Sequence, residues 1–168
     1  MTIAARIEQY LTEHGVRYEL VSHKTTGSTH ESAVAAHVPD DHIAKGVMVR
    51  DAQGDAMVVI PGHSWLRLDT LNQETGRQFE LNEESALTHL FPDCTPGAVP
   101  PLGPAYDLET LLDEAFASLG VVYCEAGDHQ HLLRISGEDF RTLLQGARRG
   151  YFSGESSSSD PLWSSAEG

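Results

Sequence analysis

The stretch Ile43-Ala44-Lys45-Gly46-Val47-Met48-Val49, the turn Asp51-Ala52-Gln53-Gly54-Asp55 and the run Ala56-Met57-Val58-Val59-Ile60-Pro61 set the frame for the whole chain. Two apolar, valine-rich runs on either side of a Gly-containing turn read as a strand hairpin. Their apolar character is continuous, which marks buried strands. Lys45 interrupts it, and the chain has only one other lysine, Lys24. An ammonium among apolar neighbours loses hydration and needs a partner anion or a ligand. Two readings of Lys45 follow. Its stem snorkels at the mouth of the strand, or the cation faces a ligand, with Gly46 leaving bare backbone that a substrate can approach.

Working outward, Ile3, Ile7, Tyr10 and Leu11 recur at helical spacing, Gly15 supplies the stop, and a short strand spans Val16 to Val21. Ser28-Thr29-His30-Glu31 matches a capping box opening a helix towards His37, which Pro39 breaks. Past the hairpin, Asp69 reads as the cap of a helix over Leu71 to Thr75, closed by Gly76. Phe79 and Leu81 suggest a short strand, and Asn82 opens a helix that Pro92 ends. Leu108 to Leu119 suits a helix or a strand on local pattern alone. Val121–Glu125 and Leu132–Ile135 read as strands, and Asp139 to Leu144 as a closing helix. This order predicts a mixed sheet with helices packed around it, an α/β (α+β) fold. Hairpins in place of repeated strand–helix–strand crossovers argue against a doubly wound nucleotide-binding fold.

At 168 residues the chain makes one domain able to bury a core. We expect that domain over residues 1–152 and a flexible Ser-rich tail over 153–168, which has too few apolar groups to fold. The net charge of −14 opposes DNA binding and general nucleic-acid binding, yet allows a pocket that grips one nucleotide end. No apolar run approaches the length of a membrane span, and the amphipathic N-terminus lacks a signal-peptide core. The cytoplasm is the expected compartment. Cys94 and Cys124 are unpatterned thiols that read as small core residues.

Nine histidines are dispersed, without metal-ligand spacing, so no metal is expected. No nucleophile elbow and no phosphate-cradling Gly-Lys loop occur, and no cofactor is expected. What remains is a pocket that positions a water or a substrate hydroxyl. Gly97-Ala98-Val99-Pro100-Pro101-Leu102-Gly103 carries more information. It is either a stiff turn whose amides hold a carbonyl oxygen, or an ordinary connector. At Gly127-Asp128-His129, either Asp128 caps the turn locally or His129 faces a ligand.

Ala44-Lys45-Gly46-Val47-Met48-Val49, the 97–103 loop, and the Gly-Asp-His turn followed by Ser136-Gly137-Glu138-Asp139-Phe140 together resemble the YbaK/ProX family. The resemblance runs from the N-terminal helix to about Leu144. It implies a mixed, barrel-like sheet surrounded by helices. The implied activity is trans-editing: hydrolysis of the ester joining a wrong amino acid to the 3′ end of tRNA, with an aminoacyl-tRNA synthetase as a further partner. A non-catalytic module binding a nucleotide, an amino acid or a synthetase is the alternative. The resemblance also makes Leu108 to Asp113 a strand. It makes Lys45, Gly97 and His129 the expected catalytic set. Gly46, Pro100, Gly103, Asp128 and His30 are the expected substrate-binding set. The prolyl-editing branch has asparagine where Gly46 stands and a His-Pro motif where 127–132 reads Gly-Asp-His-Gln-His-Leu. The cysteinyl-editing branch has an early tyrosine with no counterpart near Ser22, so the edited amino acid stays unassigned.

Overall fold

A computed structural model describes residues 3–24, 36–96 and 98–154. The Ser28–Glu31 capping box with His30, Gly97 and the Ser-rich stretch from 155 lie outside the described residues. Helix α1 covers Ala5–Glu13 and buries Ile7 and Leu11, and Gly15 follows it at φ 63°. Strand β1 covers Glu19–Ser22. The central hairpin is β2, Ile43–Asp51, and β3, Gly54–Pro61, paired antiparallel from Ala44–Pro61 to Asp51–Gly54. Then come β4, Trp65–Leu66; helix α2, Leu68–Thr75; β5, Glu80–Leu81; and helix α3, Glu84–Leu90. After a 3₁₀ turn at Gly103–Tyr106, the chain forms β6, Glu109–Asp113, β7, Val121–Glu125, and β8, His131–Ser136. Helix α4, Gly137–Leu143, and the short strands β9, Arg148–Gly150, and β10, Ser153–Gly154, finish the fold.

The large sheet runs β1-β8-β7-β2-β3-β6-β9, with β5 pairing the far end of β2. It is mixed: β2–β7, β3–β6 and β6–β9 are parallel, and the other pairs are antiparallel. Side chains alternate across it. Ala44, Met48, Met57, Val59, Leu112, Val122, Cys124 and Leu133 face one core with α1, α4, Val99 and Leu102. Val47, Val49, Val58, Ile60 and Leu111 face a second core with Leu71, Phe79 and Phe152. Cover on both faces explains why the hairpin runs read as continuously apolar.

Two expectations are corrected, and one open reading is decided. Asp69 is not the cap of α2: the helix begins at Leu68 with Arg67 as N-cap, and Asp69 sits in its first turn, accepting from the Thr70 N–H at 2.9 Å. Its acidic charge complements the helix N-terminus instead. The segment after Leu108, open on local pattern, is strand over Glu109–Asp113 as the resemblance implied, because pairing to β3 and β9 outweighs helical propensity. The fold also continues past the expected boundary at Phe152, since Ser153 and Gly154 pair with Leu66 and Trp65. Buried Asp113 holds that segment, accepting from the Phe152 N–H at 3.0 Å and the Ser153 hydroxyl at 2.8 Å.

Candidate functional site

Lys45 is 3% exposed, on β2 opposite Ile60. Strand alternation puts its side chain on the face of Ile43 and Val47, while Gly46 faces the other way. The ammonium lies over the indole of half-buried Trp65, with Nζ 5.1 Å from the ring centroid. Such an arrangement stabilises a cation removed from water. On the other flank, β2 and β7 pair only at Ile43–Tyr123 and Ala44–Cys124. One step along each strand stand Lys45 and Glu125, so the register makes them neighbours where β7 ends. Glu125 shares this face with Tyr123, and it pairs across to Leu132 on β8. Lys45 and Glu125 therefore stand between two apolar patches, Ile43 with Leu132 and Val47 with Ile60.

Glu125 is 9% exposed. Burial pushes its carboxyl up to about 7, helped by the charge of Asp128 and opposed by hydrogen bonds from the His129 and Ala126 amides. Oε1 accepts the His129 N–H at 2.6 Å, and Oε2 is buried with no hydrogen-bond partner among the described residues. His129 is itself only 9% exposed and adopts φ 61°. Its Nε2 lies 3.1 Å from the Pro96 carbonyl oxygen and its Nδ1 lies 3.6 Å from Glu125 Oε1. The turn is tied down on other sides as well. The Ala4 amide donates to the Ala126 carbonyl at 2.9 Å, and the Thr95 amide to the Gly127 carbonyl at 2.8 Å.

Asp128 caps this turn locally. Oδ1 accepts from the Gln130 and His131 amides at 2.9 Å each, and Oδ2 meets His131 Nδ1 at 2.6 Å. The loop lies on the Gly46 side of the sheet, with Ala98, Val99, Pro100 and Leu102 buried. The Ala98 amide is engaged by the Thr95 carbonyl at 2.9 Å. Gly46 and Gly103 enclose Met57. A Cβ at Gly46 would stand 2.9 Å from Met57 Sδ, and one at Gly103 would stand 3.4 Å from Met57 Cβ while colliding with Thr110 Oγ1. Both glycines thus accommodate close packing inside the protein. Met57 fills the space that bare backbone at Gly46 was expected to offer a substrate.

The structure brings His129 to the Pro96 end of the loop, and Lys45 beside Glu125 and Trp65. Gly46 and Gly103 sit on the face opposite Lys45. Gly97 and His30 lie outside the described residues. Sequence reading missed Glu125, Trp65 and Met57. For Glu125 the available signal was an acidic residue ending a strand one register step from the lysine. Behind the turn, Cys94 lies 3.4 Å from the Tyr106 hydroxyl, which donates to Asp93 at 2.9 Å. Burial pushes the Cys94 thiol up to about 12, so it is no nucleophile. Among the described residues no group of three His, Cys, Asp or Glu side chains is placed to hold a metal. No described helix is long and apolar enough to cross a membrane.

The sequence matches the family model of the aminoacyl-tRNA editing domain over residues 23–143, a span containing Lys45, Glu125 and His129. The chain belongs to the aminoacyl-tRNA editing domain family. No curated protein matches it by sequence. Its fold is that of a proposed trans-editing enzyme for prolyl tRNA synthetase, at TM-score 0.76 and 22% identity, covering 90% of this chain and 96% of that one. The hypothetical protein APE2540 matches at TM-score 0.77 and 24% identity, over 89% of this chain and 99% of its own. A proposed signal transduction protein from Marinobacter aquaeolei VT8 shares the fold at TM-score 0.72 and 21% identity; the match covers 88% of this chain and 30% of that longer one.

Proposed function

We propose that this editing domain is a trans-acting deacylase, hydrolysing the ester between a wrong amino acid and the 3′ end of tRNA. The observation that carries this reading is the buried Lys45 ammonium, set within the span that matches the editing family. The ester is already activated, so a strong nucleophile is unnecessary. Water, oriented by the adjacent ribose hydroxyl of the substrate, attacks the ester carbonyl. The carbonyl–oxygen bond to the ribose then breaks, and the ribose oxygen takes up a proton. Lys45 binds the terminal phosphate or polarises the carbonyl as negative charge develops. Gly97, the residue after Pro96, supplies an amide to the bound ester, and His129 holds that end of the loop. Pro100, Gly103 and Asp128 shape the wall through backbone and turn geometry, Gly46 lets Met57 close beneath it, and His30 contacts the bound end. A single gripped nucleotide end suits a chain of net charge −14, whose acidic surface repels the body of a polyanion.

That acidity also favours a second reading, a non-catalytic module that retains the pocket for an amino acid, a nucleotide or a synthetase. One experiment separates the two. Purified protein is mixed with a panel of mischarged tRNAs, and loss of each ester is followed alongside binding. Accelerated hydrolysis of at least one ester supports the deacylase; binding without acceleration across the panel supports the module.

A further inference from the structure

We propose that Glu125 is a positioning residue for the hydrolysis, holding His129 and, through it, the Pro96 end of the loop that walls the site. This rests on the deacylase reading above and adds to it a residue that the sequence pattern did not single out.

The geometry runs through one chain of contacts. Glu125 Oε1 accepts the His129 N–H at 2.6 Å, fixing the backbone of a residue at φ 61°, where side chains other than glycine are uncommon. At the far end of the ring, His129 Nε2 lies 3.1 Å from the Pro96 carbonyl oxygen. A carbonyl only accepts, so Nε2 carries the hydrogen, and in the neutral ring Nδ1 keeps the lone pair. That Nδ1 lies 3.6 Å from Glu125 Oε1, within ion-pair range but too long for a hydrogen bond. An ionised Glu125 accepts the His129 amide strongly. A neutral Glu125 accepts that amide less strongly and must also place its own proton, and Oε2 has no partner among the described residues. The two states of Glu125 therefore hold the same backbone amide, and with it the ring, with different strength.

Groups from every neighbouring element bear on that balance. Lys45 stands one step along β2 from the last β2–β7 pair. Asp128 disfavours it, and Asp128 is itself held by His131 at 2.6 Å. Cys94, from the segment after α3, stays a neutral thiol beside Asp93. With burial pushing the carboxyl up to about 7, both states are populated at neutral pH. A carboxyl serving only as a hydrogen-bond acceptor would be replaced well by Gln, which keeps the acceptor oxygen and the shape. Ionisation is what distinguishes the two roles.

The test has two arms. Long-range ¹H–¹⁵N NMR follows the His129 imidazole from pH 5 to 9 in the wild-type protein and in Glu125→Gln. The wild-type ring signals should report the ionisation of Glu125 as a step near pH 7 that is absent from the variant. If the variant does not fold, ¹³C NMR of the wild-type Glu125 carboxyl over the same range supplies the comparison, and a ring transition that does not follow it overturns the proposal. The second arm measures deacylation of a responsive mischarged tRNA, as the ratio of catalysed to spontaneous hydrolysis. That ratio should rise through about pH 7 in the wild type. In Glu125→Gln the rise should be lost and kcat should fall on the order of tenfold or more with KM nearly unchanged, the cost of a misplaced site wall. A His129 ring blind to Glu125, or a variant with wild-type kcat and pH profile, overturns the proposal. If no tRNA is deacylated, the deacylase reading falls, while the NMR arm still decides whether Glu125 sets His129.

Discussion

Replacing Glu125 by Gln should make the protein progressively more stable, relative to wild type, as pH rises from 5 to 8. The carboxyl is 9% exposed, and burial moves it from the usual 4.5 to about 7. Between these values the folded protein keeps a proton that the unfolded chain has released. Raising the pH therefore favours the unfolded chain until the folded carboxyl also ionises. The stabilisation is complete below pH 4.5 and lost by the time pH has passed about 7. At about 1.4 kcal/mol per tenfold change in proton affinity, the loss is at most about 3 kcal/mol. For a chain of this size that is roughly 10 °C in Tm or less. Other carboxyls act in the opposite sense. Asp93 is held below its ordinary range, although burial opposes this, by the Arg6 amide and the Tyr106 hydroxyl, and it costs stability only as pH falls. Its contribution cancels in the difference between the two proteins. Urea or thermal unfolding of both, in matched buffers from pH 5 to 8, gives that difference directly. A difference constant across the range would show that Glu125 ionises normally in the folded state, and the argument from its burial would fail.

Lys45→Ala should leave a folded domain by circular dichroism and reduce deacylation on the order of a hundredfold or more, since it removes the charge that stabilises the developing oxyanion. Lys45→Arg should also be impaired, because a planar guanidinium does not replace a compact ammonium; full activity in either variant would leave Lys45 as a snorkelling side chain. Gly103→Ala should lower stability by about 1–3 kcal/mol, as overpacking against Thr110 and Met57 predicts, with a much smaller loss of activity per folded molecule than Lys45→Ala; an unchanged Tm would refute the packing role. Truncation after Gly154 should preserve Tm and activity, whereas truncation after Phe152 should cost about 1 kcal/mol through the lost Ser153–Asp113 hydrogen bond and the β10–β4 pair. Equal stability of the two truncated proteins would contradict that anchoring.

The central hairpin was legible because burial on both faces leaves a continuous apolar run and its turn contains Gly54. Gly76 closes α2 at φ 70°, as its position after Thr75 suggested. Strands β9 and β10 carry no local signal: three and two residues long, they exist only through pairing with β6 and β4. The site was half legible. Lys45 was marked by its cost among valines, but alternation puts Gly46 on the opposite face. Trp65, over which the Lys45 ammonium lies, comes from beyond β3, and Glu125 reaches this end of the sheet through the parallel pairing of β2 with β7. That pairing joins residues eighty positions apart, and nothing in Val121–Glu125 by itself announces it. His129 was noticed as a turn residue, while its contact with Pro96 depends on how two distant loops meet.

The account stands or falls on single-turnover hydrolysis of a mischarged-tRNA panel by the wild-type protein and by Lys45→Ala. It predicts that at least one aminoacyl ester is lost far faster with wild-type protein than spontaneously, and that the folded Lys45→Ala protein abolishes the acceleration. Spontaneous rates across the whole panel, or equal acceleration by the variant, would contradict it.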